Sequence, residues 1–283
     1  MTDTNGSSKN LNFKKQLRIK VISMGDAEVG KSCIIKRYCE KRFVAKYMQT
    51  IGIDYGVTKV NIKEREVKVN IFDMSGHPVF YEVRNEFYKD TQGAILVYDV
   101  NNRASFDSLD KWLNELMSEF YGSNSQQSST NNILDNVVVI LCGNKIDKGK
   151  RAVDEAEAKL WASMKGLYYF EVSASSGSGV NEMFDKLFGE VVNACDNGGK
   201  PIKAQINLGF NKEQVEAIQR LKNAKDNYER LGLKPGCNKD EINNAYRRLA
   251  VRFHPDKNVA PGAEDAFKII VNARTDLLKQ FNN

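Results

Sequence analysis

The residues at positions 25–32, GDAEVGKS, are of types suited to holding phosphate. They follow an apolar run and open a helical pattern, and in that context the backbone N–H groups of a glycine-rich turn point at phosphate oxygens. Lys31 would then reach the β- and γ-phosphates, and the Ser32 hydroxyl would ligate Mg2+. An ordinary glycine turn needs neither side chain, so the pattern predicts a nucleotide-phosphate site.

A second polar turn, Asn144-Lys145-Ile146-Asp147, directly follows the apolar run 137–143. A carboxylate in this place can accept both N1–H and N2–H of guanine, a donor pair that adenine lacks, so the wrong base would leave groups unpaired. In isolation the sequence is only a polar turn. At the end of a strand, downstream of a phosphate turn, it predicts a guanine site and disfavours an ATP-using P-loop enzyme.

Near the other end of the chain, His254-Pro255-Asp256 ends a helical pattern. Asn238, three residues before Glu241, is a good helix start, and apolar residues recur at helical spacing from 242 to 253. Pro255 disfavours helix in the residue before it. A second apolar stripe is marked by Ala263, Phe267, Ile270, Leu277 and Phe281. The pattern predicts a helical hairpin.

The elements that position the phosphate and guanine turns alternate along the chain. Strand-like runs at 18–24, 57–62, 67–73, 94–100, 137–143 and 167–172 are separated by helical stretches at 32–41, 105–120, 154–164 and 180–193. Such alternation predicts an α/β fold with a mostly parallel sheet covered on both faces. From about Lys212 the pattern is helical to the end, which predicts a small all-α domain.

The predicted organisation has four parts. They are a flexible N-terminal tail over 1–16, a nucleotide-binding domain over 17–195, a linker over 196–211 and a helical domain over 212–283. Residues 122–132, rich in Ser, Asn and Gln, predict a mobile surface loop.

Composition excludes several classes of protein. No run approaches the roughly 20 apolar residues of a membrane span, and the N-terminus has no apolar signal core. The net charge of +6 comes without a dense basic tract, so we expect acidic protein partners and no nucleic acid. The five cysteines form no C-x-x-C pair, which favours a soluble cytoplasmic or nuclear protein.

Residues 17–195 resemble a Rab-type small GTPase, which implies a Ras/Rab-like P-loop NTPase fold that binds GTP or GDP with Mg2+. The motifs that carry the resemblance, in order, are residues 25–32, Thr50-Ile51-Gly52, Asp73-Met74-Ser75-Gly76, Asn144–Asp147 and Ser173-Ala174-Ser175.

The resemblance assigns roles to individual residues. Thr50 would ligate Mg2+ and sense the γ-phosphate, Asp73 would hold Mg2+ through water, and the Gly76 backbone would touch the γ-phosphate. Phe43 would pack against the base, and the Ala174 backbone would meet the guanine carbonyl. The metal set is Ser32, Thr50 and Asp73, and the candidates for catalysis are His77, Lys31 and Thr50. The predicted nucleotide-binding set is Gly25, Asp26, Ala27, Glu28, Val29, Gly30, Lys31, Ser32, Cys33, Phe43, Thr50, Asp73, Gly76, Asn144, Lys145, Asp147, Ser173 and Ala174.

The chain departs from the Rab pattern at several positions. His77, followed by Pro78, stands where the family has the glutamine that orients the hydrolytic water, so we expect slow GTP hydrolysis; the alternative is that His77 positions the water adequately or faces solvent. Ser175 replaces a lysine beside the base, which favours faster nucleotide dissociation. The sequence printed ends without a prenylation cysteine, so we expect no direct lipid anchor.

Residues 225–283 resemble a J domain. The resemblance implies that the His-Pro-Asp loop and the basic face of the preceding helix dock on an Hsp70 and stimulate its ATPase. The residues predicted to bind Hsp70 are Tyr246, Arg247, Arg248, His254, Pro255, Asp256 and Lys257. From the residue pattern alone, the alternative interpretation is that the two arginines form a solvated charged face and that the His-Pro-Asp loop is a plain helix-ending turn.

The whole chain resembles Rab–J fusion proteins. The first hypothesis is a regulatory GTP-binding protein whose Thr50 and His77 loops select an effector while the J domain brings Hsp70. The alternative is a non-switching scaffold that stays loaded with one nucleotide and recruits Hsp70 constitutively.

Overall fold

The computed structural model describes residues 16–121, 133–206, 208–255 and 257–281. The chain divides into two compact units, one of Met1–Lys150 with Phe170–Lys203 and the other of Arg151–Tyr169 with Ala204–Asn283. Residues 1–15 of the predicted tail, the Ser/Asn/Gln-rich segment 122–132 and Asp256 lie outside the described residues. The four-part boundaries stay a prediction.

Within the described residues, six strands and ten α-helices are connected by turns and short 3-10 helices. The strands are β1 Leu17–Met24, β2 Ile53–Ile62, β3 Arg65–Met74, β4 Gly93–Asp99, β5 Val138–Asn144 and β6 Tyr168–Val172. The helices are α1 Lys31–Glu40, α2 Tyr81–Arg84, α3 Arg103–Asp107, α4 Leu109–Tyr121, α5 Glu155–Lys165, α6 Val180–Asp196, α7 Lys212–Asn223, α8 Asn227–Leu231, α9 Lys239–Phe253 and α10 Ala263–Lys279.

The strands form one sheet in the order β2-β3-β1-β4-β5-β6. β1 is parallel to β3 and β4, β4 is parallel to β5, and β2 is antiparallel to its neighbour β3. β4 and β5 are buried along their whole length, as expected of central strands covered on both faces. The predicted α/β fold is confirmed. Because β1, β3 and β5 run in one direction, the turns that follow them meet at one edge of the sheet.

Two local predictions were wrong. The helix expected over 105–120 is two helices that break at Ser108, because the Ser105 and Ser108 hydroxyls bond to backbone carbonyls of Asn102 and Ser105 at 2.7 and 3.1 Å and compete with helix bonding. β2 begins at Ile53 rather than Val57, since its first residues pair with the end of β3 despite their polar sequence.

The second unit contains the predicted helical hairpin of α9 and α10, with α7 and α8 in the same core. Asn238 and Glu241 form the expected capping box. The buried residues of this core include Ile218, Leu221, Leu231, Ile242, Phe253, Ile270 and Leu277. Phe281, predicted in the apolar stripe, is 42% exposed because α10 ends at Lys279. No helix of the described residues is both long and apolar enough for a membrane span.

Candidate functional site

Four turns at the sheet edge, together with the segment 43–50, line one cavity of about 440 Å3, a size that suits a small ligand. Predicted site residues in its wall are Ala27, Glu28, Gly30, Lys31, Ser32, Cys33, Phe43, Thr50, Gly76, Asn144, Lys145, Asp147 and Ala174. The wall residues do not include Gly25, Asp26, Val29, Asp73, His77 and Ser173. Most of the predicted nucleotide set is therefore brought together at one cavity, and the other residues of the set are not part of its wall.

The phosphate turn lies against its neighbours so closely that side chains are excluded. Gly30 has φ +97°, and a Cβ there would lie 2.4 Å from Asn144 Nδ2. A Cβ on Gly76 would lie 2.3 Å from the backbone carbon of Asp26. The turn and the loop after β3 thus meet through backbone, which leaves N–H groups rather than side chains to face a ligand.

Lys31 is held inside the turn by backbone carbonyls. Its Nζ donates to the carbonyl oxygens of Gly25 and Asp26, both at 2.8 Å. Burial lowers the pKa of Lys31 to about 8, against the opposing attraction of Asp73 and Asp26. A buried cation with only carbonyl acceptors is suited to exchange them for phosphate oxygens, which favour its charged form.

The predicted metal ligands Ser32, Thr50 and Asp73 lie close together. The hydroxyls of Ser32 and Thr50 are 2.9 Å apart. Asp73 is buried, accepts a hydrogen bond from Ser23 Oγ at 2.9 Å, and has its pKa raised by burial. Hydroxyl and carboxylate oxygens are what Mg2+ prefers, and a cation would offset the cost of a buried carboxylate. These residues fit a magnesium ion.

The guanine turn is tied to the phosphate turn. Asn144 Nδ2 donates to the Val29 carbonyl at 2.8 Å and its Oδ1 accepts from Ala174 N–H at 3.2 Å. Lys145 Nζ donates to the Glu28 carbonyl at 2.7 Å and pairs with Asp99 at 2.7 Å.

Asp147 is exposed at the cavity wall, and Ser173 Oγ donates to its Oδ1 at 2.6 Å. This hydrogen bond orients the carboxylate and leaves Oδ2 and the second lone pair of Oδ1 to accept from a base. The Ala174 N–H donates to Asn144 Oδ1 at 3.2 Å, and the contact of the Ala174 backbone with the guanine carbonyl stays a prediction.

His77 is exposed and lies outside the cavity wall. Its Nδ1 accepts from Val79 N–H at 3.3 Å, so the imidazole caps the short 3-10 turn that Pro78 opens. Its carbonyl accepts from Arg84 at 3.0 Å. One ring nitrogen is therefore engaged with the loop's own backbone.

Sequence reasoning missed a buried polar network beside this loop. Arg84 donates to both carboxylate oxygens of Glu115 at 2.6 and 3.0 Å, and the two side chains are only 4% and 10% exposed. The Arg84 guanidinium lies 4.8 Å from the centre of the Trp112 ring, and Trp112 Nε1 donates to Asp26 Oδ1 at 2.7 Å. The network joins the His77 loop to the phosphate turn, and no sequence signal marks it.

The second unit presents the predicted Hsp70-binding residues on α9 and the loop after it. Arg247, Arg248, Pro255 and Lys257 are exposed. Tyr246 is half-buried under the Arg274 guanidinium, 4.9 Å from its ring centre. His254 is half-buried, with its ring 5.5 Å from that of Phe267 in an edge-on contact. Asp256 lies outside the described residues.

A buried asparagine that sequence reasoning did not single out holds this loop. Asn258 is 2% exposed; its Nδ2 donates to the Arg252 carbonyl at 3.0 Å and its Oδ1 accepts from Ala260 N–H at 3.0 Å. The His254 carbonyl accepts from the N–H groups of Lys257 and Asn258, both at 2.9 Å. The end of α9 and the loop are therefore fixed to each other.

The comparisons with known proteins agree with both units. The Ras family model matches residues 20–193, and the DnaJ domain model matches residues 226–280. DnaJ homolog subfamily C member 27-B of Xenopus laevis is 63% identical over 272 residues, covering 96% of this chain and 97% of that protein. DnaJ homolog subfamily C member 27 of Homo sapiens is 60% identical over 266 residues, covering 94% of each. The predicted resemblance is confirmed: the chain belongs to the DnaJ homolog subfamily C member 27 family, with a Ras-family GTPase domain followed by a C-terminal DnaJ domain.

Proposed function

We propose that this chain is a GTP-binding, Rab-like regulatory protein that hydrolyses GTP slowly and whose J domain recruits and stimulates an Hsp70. The observation that carries the nucleotide half is a single cavity lined by Lys31, Ser32, Thr50 and Asp147. Lys31 supplies a cation for the phosphates, and Ser32 and Thr50 supply hydroxyls for the metal ion. Asp147 supplies a carboxylate for the base, so together they match one guanine nucleotide.

The residues of the site have distinct tasks in the proposed complex. Lys31 binds the β- and γ-phosphates, while Ser32, Thr50 and Asp73 hold Mg2+, which supplies neutralising charge to the phosphates. Asp147, oriented by Ser173, accepts the two guanine donors. Thr50 also orders its loop in the GTP state, and with the His77 loop selects the effector.

Slow hydrolysis is proposed from the position of His77. The imidazole is exposed, and its Nδ1 is engaged with Val79 N–H, so it offers a single nitrogen to a water where the family glutamine offers both a donor and an acceptor.

The Hsp70 half is proposed from the second unit. Arg247, Arg248 and Lys257 supply exposed positive charge for an acidic surface, which speeds association and fixes orientation. His254 and Asp256 would make the specific contacts on the loop that Asn258 holds. The cysteines are all free thiols, which supports a reducing compartment such as the cytosol or nucleus.

The test is the nucleotide content and single-turnover GTP hydrolysis of the purified chain beside His77→Gln. Bound GTP that persists in the wild type and is cleaved faster in His77→Gln is the expected result. Equal, efficient cleavage in both would overturn slow hydrolysis, and absence of any guanine nucleotide would overturn the nucleotide half.

The Hsp70 half has its own assay, the ATPase rate of Hsp70 with wild type and with His254→Gln. The wild type is expected to stimulate it and the variant is not. Asn272→Ala, a change on α10, is the matched control and should stimulate like the wild type. No stimulation by the wild type would refute this half alone.

A second candidate is the non-switching scaffold, which the engaged imidazole of His77 favours. One experiment distinguishes the switch from the scaffold. It compares Hsp70 stimulation and partner capture by the GDP-loaded chain with those of the chain loaded with a non-hydrolysable GTP analogue. A difference between the two loads supports the switch, and identical values support the scaffold.

A further inference from the structure

We infer that Arg37 is a positioning residue that closes the base side of the nucleotide cavity and sets how long nucleotide stays bound. This inference rests on the proposed function and concerns the same site. Arg37 lies on α1, the helix that also carries Lys31 and Ser32, and it belongs neither to the phosphate turn nor to the guanine turn.

The first observation is the pair of bonds from Arg37 to the loop after β6. Arg37 Nε donates to the Ala174 carbonyl at 2.8 Å, and Nη2 donates to the Ser175 carbonyl at 2.5 Å. Two charge-assisted bonds from the planar Arg37 guanidinium fix both the distance and the orientation of this loop relative to α1. A Cβ built on Gly177 would lie 3.6 Å from Arg37 Cδ, so the loop also lies close to the aliphatic part of the arginine.

The second observation is the aromatic on the other side of the guanidinium. The Arg37 guanidinium carbon lies 5.9 Å from the centre of the Phe43 ring, within the range of a cation–π contact. Phe43 lines the cavity, as do Ala174 and Ser175. One side chain therefore contacts both walls between which a base would lie.

These contacts give Arg37 an effect on dissociation. A base leaves when the loop at 173–177 and the segment around Phe43 separate, because each covers it from one side. Arg37 joins the two, and Ser175 offers no long side chain of its own to cover the base. Removing the guanidinium frees the loop without changing a side chain that contacts the nucleotide. We therefore expect faster nucleotide dissociation and an unchanged rate of GTP hydrolysis.

The experiment measures release of fluorescent mant-GDP from the full chain during a chase with excess GDP. We expect release from Arg37→Ala to be at least about tenfold faster than from wild type, the size expected for losing bonds to a charged donor. Arg37→Lys keeps the charge and at most one of the two bonds, so its rate should be intermediate. Arg65→Ala is the matched control, since Arg65 pairs with Asp196 at 2.9 Å and is absent from the cavity wall; it should release like wild type.

Two readouts separate positioning from a merely structural role. Single-turnover hydrolysis of pre-bound GTP should be unchanged in Arg37→Ala, because Lys31, Thr50 and His77 keep their contacts. The effects of Arg37→Ala and Phe43→Leu on release should be less than additive, because each removes part of the same contact.

Several outcomes would overturn the inference. Release from Arg37→Ala within twofold of wild type would do so, as would a parallel fall in hydrolysis and thermal stability. If Arg37→Ala does not fold, release from Arg37→Lys at the wild-type rate would overturn it equally. A wild type that binds no guanine nucleotide would overturn the proposed function as well, so the two failures are distinguishable.

Discussion

Breaking the buried Arg84–Glu115 pair should cost far more stability than breaking an exposed pair of similar length. Arg84→Met keeps the volume of the side chain but removes two bonds to Glu115 at 2.6 and 3.0 Å and one to the His77 carbonyl at 3.0 Å. Burial disfavours the Arg84 cation, yet Glu115 and Tyr88 hold its pKa above the ordinary value. The remaining carboxylate, 10% exposed, would keep only the Tyr88 hydroxyl as a donor at 2.7 Å.

The expected magnitude follows from that uncompensated charge. Removing one partner of a buried pair typically costs about 3–5 kcal/mol, whereas replacing both with apolar groups costs much less. We therefore expect about 3–5 kcal/mol for Arg84→Met and a smaller loss for the double variant Arg84→Met/Glu115→Met. Arg103→Met is the control: its pair with Asp107 at 2.8 Å is 49% and 57% exposed, so its loss should be about 0.3–0.5 kcal/mol.

The assay is denaturant unfolding followed by tryptophan fluorescence. The chain has two tryptophans, so Trp161→Phe leaves Trp112, which contacts Arg84, as the sole reporter of this region. All variants are compared at the same nucleotide load, because bound ligand adds to stability. A double variant at least as unstable as Arg84→Met would refute the argument, and so would a cost for Arg84→Met no larger than for Arg103→Met.

Three further predictions test other contacts. Burial lowers the pKa of Lys31 to about 8, and phosphate favours its charged form, so nucleotide binding should take up a proton above about pH 8 and weaken as pH rises further. Calorimetry at about pH 9 in buffers of different ionisation enthalpy measures the uptake, which should be small at about pH 7 and absent in Lys31→Met. Gly76→Ala places a Cβ 2.3 Å from the Asp26 backbone, so GDP affinity should fall at least about tenfold; an unchanged affinity would show that the two loops move apart without cost. Asn258→Ala removes two bonds that fix the loop after α9, so Hsp70 stimulation should fall several-fold while the helical circular dichroism stays within error of wild type; unchanged stimulation would show that the loop needs no such support.

The sequence was sufficient to predict the residues whose chemistry requires a fixed type at a fixed spacing. Lys31, Ser32 and Asp147, predicted from the residue types of the phosphate and guanine turns, line one cavity together with Thr50, which was predicted from the resemblance. The strand alternation likewise predicts the parallel sheet, since buried central strands have few other sequences open to them.

The residues that hold these groups in place were not predictable. Arg37 bonds to backbone carbonyls 137 and 138 positions away, and a carbonyl carries no sequence signal. Arg84 and Glu115 resemble ordinary charges on amphipathic helices, where a solvated face is the usual outcome. The helix break at Ser108 was not predicted for a similar reason: a serine hydroxyl bonds to the main chain only when the local geometry allows it.

The bond from Arg84 to the His77 carbonyl allows the hydrolysis experiment to separate the effect of the imidazole from the effect of the loop position. Since the bond is to backbone, His77→Gln removes the imidazole and its bond to Val79 N–H while the bond from Arg84 to the loop stays in place. Arg84→Lys does the reverse, because it keeps the imidazole and one positive charge but cannot fork onto both Glu115 and the carbonyl. If slow hydrolysis comes from the imidazole, only His77→Gln speeds it. If it comes from a loop held away from the cavity, Arg84→Lys speeds it as well, and the cause lies in the buried network instead of in His77.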